Sequence, residues 1–520
     1  MNGTLMSPMA SEDERVADIL SADAFELRLL EHISFLQDSQ QPEACASLFE
    51  RLITQRPITN QWSFARMASA YAALGREDAS FLLASSVLAT NPTISAAPIL
   101  APLVINFYRK RGRIQEALAF FLKHIEKFPD SAKFLSRADL KSMFKAAGSP
   151  LVELFSSPGA PEARGRANFT VVPTSMRQSW RPRRSYGGPL PYAVANLSTD
   201  NVRPEIVVSC LQEAQVVLVD GQVVVLSADG SIQHDLSVCK VPELILMQLE
   251  ERKSHIKMEV TDCEEAVIIT DQTHAPNLCH YLLDQAPRAG LYESLGVDVS
   301  KALVIGPDLK AKFQRRIAAT LRLNNYRGVT GFAEIRVRKL WVSTNCNNVR
   351  WHADLGATWP LRYIWEKFGG RGTSGTRRLY VSRADARGRR VVNEPEVVEL
   401  LERYGFQKVV PGTMELDDQI AAFRSASHVV GPHGAAMALT IFSPQQLEFL
   451  EFFHPKHSNS AYAMQAQALE MCYSVISGRD GYSNDLAFND PAAPGAMGFT
   501  QRDMRIDIAD LKQWLVDTGL

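Results

Sequence analysis

The chain has 520 residues, which leaves room for three to four domains at about 150 residues each. Hydrophobic residues make up 46% and charged residues 22%, values that exclude a wholly disordered chain, a fibre and a polytopic membrane protein. The 56 Lys and Arg residues almost balance the 57 Asp and Glu residues, so a net charge of -1 provides no basic field for binding nucleic acid.

The beginning of the chain lacks the pattern of a secretion signal. Residues 1–20 are largely polar and acidic, without the basic start and the apolar run that such signals carry. The longest apolar stretch, Ala96 to Tyr108, is interrupted by Pro98 and Pro102 and is shorter than the roughly 20 residues that span a bilayer. The seven cysteines form no C-x-x-C pair, so we expect reduced thiols. These features favour a cytoplasmic protein without a transmembrane segment.

Residues 23–150 have the pattern of a helical domain, preceded by a flexible N-terminus at residues 1–22. Apolar residues recur every three or four positions, which is the period of an α-helix. A longer repeat lies over this period, in which a Tyr precedes a Gly by four residues and a Pro follows it by seventeen. The two copies are Tyr71, Gly75 and Pro92, and Tyr108, Gly112 and Pro129, and Pro57 ends an earlier predicted helix, 42–55.

The spacings of 35 and 37 residues between these prolines are near the period of helix-turn-helix solenoids. The pattern resembles tetratricopeptide repeats in degenerate form, and a plain helical bundle is the alternative. Stacked repeats present a groove for a peptide, another subunit or a second copy of the chain, whereas the other possibility is a purely structural appendage.

The segment 151–200 is predicted to be a linker, because seven prolines and five glycines fall between Gly148 and Asn201. After it, short strands alternate with helices of about ten residues, a pattern typical of parallel sheets covered by helices on both faces. We therefore predict an α/β fold with two Rossmann-like lobes, residues 201–350 and 351–520, and a C-terminal helix. The strands are predicted at 206–209, 216–219, 223–226, 266–270, 302–305, 339–342, 379–382, 407–410, 428–430 and 447–453, and the helices of the second lobe at 394–404, 416–427 and 434–442. A ligand would bind between the lobes, at the carboxyl ends of the strands.

Two motifs of the second lobe are candidates for binding an anion. In the first, a strand runs through Gly431, His433, Gly434 and Ala435 into a helix, whose first amides form an anion site. The other interpretation is a tight turn in which the glycines serve packing alone. The second motif places Ser382 and Arg383 at a strand end, before a loop with three further arginines and Asn393 as the cap of the next helix. The loop arginines Arg387, Arg389 and Arg390 fit a diphosphate clamp, or else a solvated loop.

A third motif, in the first lobe, carries an acid, a base and a cation on one helix face. His280, Asp284 and Arg288 are spaced by four residues. If this face points into a cleft it supplies a general base, and if it points to water it is an exposed ion-pair stripe. In the second lobe, Glu451 could accept a hydrogen bond from ribose or be a partnered core residue. No D-x-D, H-E-x-x-H or P-loop motif occurs, so the sequence gives no support for a metal.

Taken in order, these motifs resemble glycosyltransferase family 61. The residues that carry the resemblance are Asn277, His280, Asp284, Pro287 and Arg288, then the run Leu379 to Arg383 with Arg390, Asn393 and Glu394, then Gly405, Phe406, the run Gly431 to Ala435, and Glu451. The resemblance covers about residues 188–478 and implies a GT-B fold and an inverting transfer from a nucleotide sugar without a metal or other cofactor. One departure is Ala436 followed by Met437, where the family more often has Gly and Leu.

The resemblance also implies roles for individual residues. Arg383, His433 and the amides of the 431–435 turn would hold the donor diphosphate, with help from Arg390 and Asn393, and Glu451 would hold the ribose. Asp284 would deprotonate the acceptor while His280 orients it. Asn277, Ser382 and Arg288 would support these groups.

We therefore predict a glycosyltransferase that acts on a glycan of the surface or capsular polysaccharide type. Two alternatives remain open: a protein O-glycosyltransferase whose helical repeats recruit the polypeptide, and a non-catalytic repeat scaffold with a degenerate transferase domain. The predicted partners are a nucleotide sugar, the acceptor, and a protein or second copy bound through the repeats, with no nucleic acid.

Overall fold

The computed structural model describes residues 12–21, 29, 32–33, 36, 41–56, 58, 61–90, 97–127, 137–146, 166–172, 175–176, 182–187, 202–203, 206–239, 242–252, 255–271, 277–343, 358–386, 388–454, 461–480 and 503–520. Contacts divide the chain into two compact units, residues 1–156 with 484–496 and residues 157–483 with 497–520. The repeat prolines Pro57, Pro92 and Pro129 and the loop residue Arg387 lie outside the described residues, as do parts of the predicted N-terminal and linker segments.

The first unit is helical, as its apolar period predicts. Part of the segment predicted to be flexible is a helix, because Val16 and Ile19 bury one face of it against the following helices. The second helix ends two residues earlier than predicted. The helices are α1 (Glu12–Ser21), α2 (Pro42–Ile53), α3 (Gln61–Ala73), α4 (Glu77–Thr90), α5 (Ala97–Lys110), α6 (Ile114–Lys127) and α7 (Arg137–Ala146).

The repeated Tyr and Gly residues make the same turn twice, between α3 and α4 and between α5 and α6. Gly75 and Gly112 both have a φ of +70°, a conformation that glycine adopts without the cost of a β-carbon. The amide after each glycine donates back to the carbonyl of the repeated tyrosine, at 2.8 Å for Tyr71 and 2.9 Å for Tyr108. Such a bond closes a helix in the Schellman manner. The sequence repeat is therefore a repeat of backbone geometry, and its assignment to tetratricopeptide repeats stays a prediction.

The second unit contains two large sheets, and the first of them is mixed. It has the strand order β1-β5-β10-β7-β8-β9, with β6 paired to β5. Strands β10, β7, β8 and β9 are parallel, as predicted, whereas β1, β5 and β6 pair antiparallel. The strands are β1 (Arg166–Val172), β5 (Ile206–Val219), β6 (Gln222–Leu226), β7 (Glu259–Ile268), β8 (Leu303–Gly306), β9 (Tyr326–Gly328) and β10 (Phe332–Ser343).

The antiparallel pairing of β5 and β6 follows from a two-residue turn, which the alternation of strands and helices does not predict. Asp220 and Gly221 join β5 to β6, and both have positive φ, at 47° and 96°. Asp-Gly is the sequence typical of such a hairpin, because the turn requires φ above zero at both positions. The two strands predicted at 206–209 and 216–219 are one long strand, β5, which bends at Glu213 with a φ of 51°.

The second sheet is parallel throughout, as the sequence predicts. Its order is β12-β11-β13-β14-β15-β3, in which the chain begins at β11, moves outward to β12 and then reverses to β13. Gly431 of β13 lies level with Glu451 of β14. The strands are β3 (Arg184–Tyr186), β11 (Arg377–Val381), β12 (Phe406–Val409), β13 (Ala426–Pro432), β14 (Glu448–Phe453) and β15 (Cys472–Ser477), and the two-residue strands β2 (Ser175–Met176) with β4 (Val202–Arg203) and β16 (Arg479–Asp480) with β17 (Met504–Arg505) lie outside both sheets.

The segment predicted as a linker contributes a strand to each sheet, β1 to the mixed one and β3 to the parallel one. We call the mixed sheet with its helices the first lobe and the parallel sheet with its helices the second lobe. The helices of this unit are α8 (Pro242–Arg252), α9 (Leu278–His280), α10 (Arg288–Glu293), α11 (Lys312–Thr320), α12 (Thr358–Lys367), α13 (Glu394–Arg403), α14 (Leu416–Arg424), α15 (Ala461–Ala468) and α16 (Ile508–Asp517), with a π turn at Tyr281–Gln285 and 3-10 helices at Pro411–Thr413 and Ala435–Phe442.

One apolar cluster runs through both lobes. It includes Leu283 and Val304 of the first lobe together with Phe442 and Phe449 of the second, all of them buried. The predicted fold class, an α/β structure with two sheet-based lobes preceded by helices, is confirmed. Within the described ranges, no helix is both long and apolar enough to cross a membrane.

Candidate active site

The predicted anion-binding residues directly follow two neighbouring parallel strands of the second lobe. Strand β11 ends at Val381 and leads into Ser382 and Arg383, while β13 ends at Pro432 and leads into His433. These strands lie side by side, and the chain leaves them toward opposite edges of the sheet. At such a switch point the loops diverge and leave a crevice at the carboxyl edge, where ligands of open α/β sheets bind.

Arg383 lies directly against the backbone of Gly434. A β-carbon placed on Gly434 would come within 2.1 Å of Arg383 Nη1. The φ of Gly434 is −173°, which is extended backbone open to any residue, so the glycine is needed for space and not for its conformation. Arg383 Nε donates to the carbonyl of Gly388 at 3.1 Å. The structure therefore brings the first predicted cation onto the predicted glycine turn.

Gly431 serves a different purpose from Gly434. A β-carbon on it would lie 2.5 Å from the carbonyl oxygen of Val381 in the neighbouring strand. This glycine allows β11 and β13 to approach each other, which is the packing interpretation of the motif. The helix after the turn is a 3-10 helix at Ala435–Phe442 and not the predicted α-helix. Its first backbone bond runs from the Met437 amide to the Gly434 carbonyl, so the Ala435 amide precedes the helical ladder.

His433 is held by a buried carboxylate. Its Nδ1 is 2.5 Å from Glu451 Oε1, and the hydroxyl of Tyr473 donates to Glu451 Oε2, also at 2.5 Å. Burial raises the pKa of Glu451 to about 8, although the hydrogen bond from Tyr473 and the charge of Arg389 lower it. Glu451 is fully buried and its two oxygens bond to His433 and Tyr473, so it supports the His433 ring, and its contact with ribose stays a prediction.

A second arginine, which the sequence motif included but did not single out, lies beside Arg383. Arg389 has a φ of 58°, and its Nε is buried without a hydrogen-bond partner among the described residues. Burial and the charge of Arg389 lower the pKa of Arg383 to about 10. Burial also lowers the pKa of Arg389. The two guanidinium groups are thus close together and partly desolvated, and neither forms an ion pair with a described carboxylate.

The structure does not bring the other two predicted donor-binding side chains to this cluster. Arg390 pairs with Asp503 through Nε at 3.0 Å and Nη2 at 2.9 Å. Asn393 stands at the cap position of α13, but its side chain bonds to the backbone of Ile506, donating to the carbonyl at 2.9 Å and accepting from the amide at 3.0 Å. Both residues attach the loop between β11 and α13, here called the arginine loop, to the two residues that flank strand β17, Asp503 and Ile506.

Ser382 is also bound within the second lobe. Its hydroxyl donates to Glu394 Oε1 at 2.6 Å and accepts from the Ala384 amide at 3.1 Å. Lys408 pairs with the other oxygen of Glu394 at 2.7 Å. Ser382 therefore shapes the start of the arginine loop, in agreement with the supporting position expected of it.

In the first lobe, the helix that carries His280 and Asp284 is interrupted. Asn277 begins it, since its side chain accepts from the amides of Cys279 and His280 at 2.9 and 3.3 Å. Residues Tyr281–Gln285 form a π turn, closed by a bond from the Ala286 amide to the Tyr281 carbonyl. Pro287 has no amide hydrogen to continue the regular ladder, which accounts for the interruption. π turns of this kind often occur at functional sites.

Arg288 completes the interrupted helix. Its Nε donates to the backbone carbonyl of Asp284 at 2.9 Å, and its Nη1 donates to Ser343 Oγ at 2.8 Å. The side chain is fully buried. It therefore supports the position of Asp284 through the backbone and does not itself face a ligand.

His280 and Asp284 form a hydrogen-bonded pair, as their spacing predicts. His280 Nδ1 is 2.7 Å from Asp284 Oδ2. The carboxylate of Asp284 has no exposed surface, whereas 23% of the His280 side chain is exposed. Burial alone would lower the pKa of His280, but the hydrogen bond and charge of Asp284, together with Asp271, raise it above the ordinary value of 6.5. The exposed member of the pair is the imidazole, whereas the family resemblance assigns the proton of the acceptor to Asp284.

The two halves of the site meet at Cys279 and Tyr462. Cys279, the residue before His280, and Tyr462, from α15 of the second lobe, belong to the same buried cluster, and each lies close enough to affect the pKa of the other. The Tyr462 ring lies 4.8 Å from the His433 ring, centroid to centroid. The charge of Arg389 reaches both Cys279 and Tyr462. The helix with His280 and the cluster with Arg383 and His433 therefore border the same region between the lobes.

Three residues of this region escaped the sequence reasoning as site residues: Arg389, Tyr462 and Tyr473. The loop composition pointed to Arg389 only as one arginine among several. No sequence pattern marked the two tyrosines. In the part of the chain that the structure describes, no group of three or more His, Cys, Asp or Glu residues is arranged to hold a metal.

Comparison with known proteins identifies the family of this region. Residues 278–450 match the family model described as Glycosyltransferase 61. No curated protein sequence matches the chain. Among solved structures, the chain is similar to a mutant of the O-GlcNAc transferase from Thermobaculum terrenum, with 10% identity over 99% of this chain and 95% of that chain, and a TM-score of 0.20. At this TM-score the likeness supports no statement about fold or activity.

The matched range contains the helix with His280 and Asp284 and both strand ends that carry Arg383 and His433, while Glu451 follows directly after it. Residues 278–450 of this chain are therefore similar to glycosyltransferase family 61, a similarity that implies a transferase.

Proposed function

We propose that this protein is a glycosyltransferase, which moves a sugar from a nucleotide sugar to a hydroxyl of a glycan, with inversion at the anomeric carbon and without a metal ion. Arg383 and His433 hold the pyrophosphate of the donor at the switch point of the second lobe. His280 and Asp284, from the first lobe, act on the acceptor hydroxyl. The surface or capsular polysaccharide type of acceptor rests on the family resemblance alone.

The observation that carries this proposal is the environment of Arg383. The guanidinium is partly buried against Gly434, it lies near a second guanidinium, and no described carboxylate forms an ion pair with it, although the charges of Asp385 and Asp503 reach it. Desolvated cations without an ion-pair partner cost free energy, which a bound anion recovers. Guanidinium groups bind phosphate oxygens in a bidentate manner, and His433 adds a ring nitrogen beside them. Since its Nδ1 faces Glu451, His433 would meet a phosphate through Nε2.

On the acceptor side, the burial of the pair leads us to propose His280 as the general base and Asp284 as a positioning residue. A base must reach the hydroxyl it deprotonates, and only His280 of the two has exposed surface. Asp284 holds Nδ1 and stabilises the cation that forms when Nε2 takes the proton. This assignment exchanges the roles that the family resemblance implied for the two residues.

The reaction then follows as a single displacement. The acceptor oxygen attacks the anomeric carbon while its proton passes to His280 Nε2, and the bond from that carbon to the phosphate oxygen breaks. The electron pair leaves with the nucleoside diphosphate, whose added charge is stabilised by Arg383 and His433. Because attack and departure occur on opposite faces of the sugar, the configuration inverts. Inversion and the absence of a metal requirement are both part of the proposal.

The test is a screen of nucleotide sugars for transfer or hydrolysis by the purified chain, repeated with His280→Ala and Asp284→Asn. We expect His280→Ala to lose transfer while inorganic pyrophosphate still binds, and Asp284→Asn to keep a small part of the rate. His255→Ala, at an exposed histidine outside the site, is the matched control. Full transfer by His280→Ala would remove His280 from the role of base. A wild-type chain that binds neither pyrophosphate nor any nucleotide sugar would refute the proposed function.

The choice between a glycan and a protein acceptor is open to direct assay. With the donor known, transfer to oligosaccharides and to polypeptides is measured for the full chain. We expect transfer to the oligosaccharides, and transfer confined to polypeptides would replace the glycan acceptor by the protein one.

A further inference from the structure

The arginine loop between β11 and α13 contains two described arginines in consecutive positions, and their side chains have different environments. Arg390 has an acidic partner, Asp503, which is 1% exposed. Arg389 has no ion pair with any described carboxylate, and its buried Nε has no hydrogen-bond partner there. Since the loop was expected to provide the second cation of a diphosphate clamp, the question is which of the two provides it.

The backbone on both sides of Arg389 is fixed. The carbonyl of Gly388 accepts from Arg383 Nε at 3.1 Å, and the amide of Arg390 donates to Asp503 Oδ1 at 2.9 Å. Between these two anchors Arg389 has a φ of 58°, a conformation that residues with a β-carbon rarely adopt. Such conformations persist only where the surrounding structure imposes them, and they concentrate at ligand-binding positions.

The position of Arg389 also joins the two lobes. Its charge reaches Glu451 and Tyr462 of the second lobe and Cys279 of the first. Cys279 is the residue before His280, the proposed base. A phosphate held by Arg389 would therefore be within electrostatic reach of the start of the helix that acts on the acceptor.

We propose that Arg389, and not Arg390, is the second cation that binds the donor pyrophosphate, together with Arg383. This inference rests on the proposed function and names a binding residue for it. When no anion is bound, the two guanidinium groups repel each other, because two like charges lie together in a partly desolvated region. A pyrophosphate carries the negative charge that both cations need, and it is the part common to every nucleoside diphosphate sugar.

The test compares Arg389→Met with wild type, since methionine keeps the aliphatic stem and removes the charge. We expect Arg389→Met to bind inorganic pyrophosphate at least 10-fold more weakly, measured by isothermal titration calorimetry on the full chain. We also expect the Tm of the chain without ligand to rise, because an unpaired desolvated cation has been removed. Arg371→Met is the matched control, since Arg371 is also partly buried, has a buried Nη2 without a partner among the described residues, and lies over Trp365 away from the arginine loop.

The variant Arg390→Met distinguishes the role of Arg390 from that of Arg389. It breaks the pair with Asp503 and leaves that carboxylate buried, so we expect its Tm to fall, opposite in direction to Arg389→Met. If Arg389→Met binds pyrophosphate within twofold of wild type while Arg383→Met does not bind it, the inference is wrong and the proposed function stands. A fall in Tm for Arg389→Met would likewise overturn it, since Arg389 would then be a structural cation. If wild type fails to bind pyrophosphate and nucleoside diphosphates alike, the proposed function fails and the inference fails with it.

Discussion

Replacing Gly434 by alanine tests the donor site by displacing one side chain without removing any charge. The new β-carbon would lie 2.1 Å from Arg383 Nη1, whereas ordinary contact begins near 3.4 Å. The guanidinium must therefore withdraw by about 1.3 Å, the difference between these distances. The next nearest atoms, Arg383 Cζ at 3.1 Å and Cδ at 3.2 Å, belong to the same flexible side chain. Arg383 can move, and the backbone need not.

The size of the effect follows from hydrogen-bond geometry. A charge-assisted bond of about 2.8 Å, lengthened by more than 1 Å, passes beyond the range in which it stabilises a complex. Hydrogen bonds to charged groups contribute about 1.5 to 3 kcal/mol, which corresponds to a loss of roughly 10- to 150-fold in affinity. Stability should change by no more than about 1 kcal/mol, because the φ of −173° at Gly434 suits alanine and the substitution also restricts the unfolded chain.

The assay is titration with inorganic pyrophosphate, with unfolding followed in parallel. Gly328→Ala is the matched control, because a β-carbon there would lie 2.2 Å from Asp308 Oδ1, again the end of a side chain, in β9 of the first lobe. We expect the control to bind pyrophosphate as wild type does. If Gly434→Ala binds pyrophosphate with unchanged affinity, Arg383 does not hold the ligand from its position on Gly434.

Three further predictions concern the acceptor pair, the arginine loop and the metal requirement. Asp284 raises the pKa of His280, and a base must be neutral, so kcat/KM should rise with pH through a value above 6.5. Asp284→Asn should shift this rise to lower pH, and an unchanged pH profile would contradict the pairing. Asn393→Ala should lower the free energy of unfolding by about 2 to 3 kcal/mol, because two buried hydrogen bonds to Ile506 are lost. Urea unfolding measures this change, and a loss below about 0.5 kcal/mol would argue that Asn393 does not anchor the loop. EDTA should leave transfer unchanged, and a loss restored only by Mn²⁺ would show that a metal takes part.

The second lobe was the more predictable of the two, for a physical reason. Its inner strands, β11, β13, β14 and β15, are largely buried and separated by helices, so each of them appears as a short apolar run between turn residues. The first lobe includes a hairpin whose only local sign was Asp220 with Gly221. The alternation of strands and helices gives no sign of a two-residue turn, so two short strands are predicted where the chain forms the one long strand β5.

In the site, sequence identified the residues that follow strand ends, because topology brings strand ends together. Arg383 and His433 are of this kind. Sequence could not show that Arg390 has an ion-pair partner while Arg389 has none among the described residues, since that partner, Asp503, is more than a hundred residues away along the chain. Nor could it decide which of His280 and Asp284 is exposed, because their spacing specifies that they meet and not which of them faces the solvent.

The apolar cluster shared by the two lobes has a consequence for ligand exchange. Moving the sheets apart as rigid bodies would expose side chains such as Leu283 and Phe442 to water, at about 25 cal/mol for each Å² uncovered. A wide opening at every turnover is therefore unfavourable for this protein.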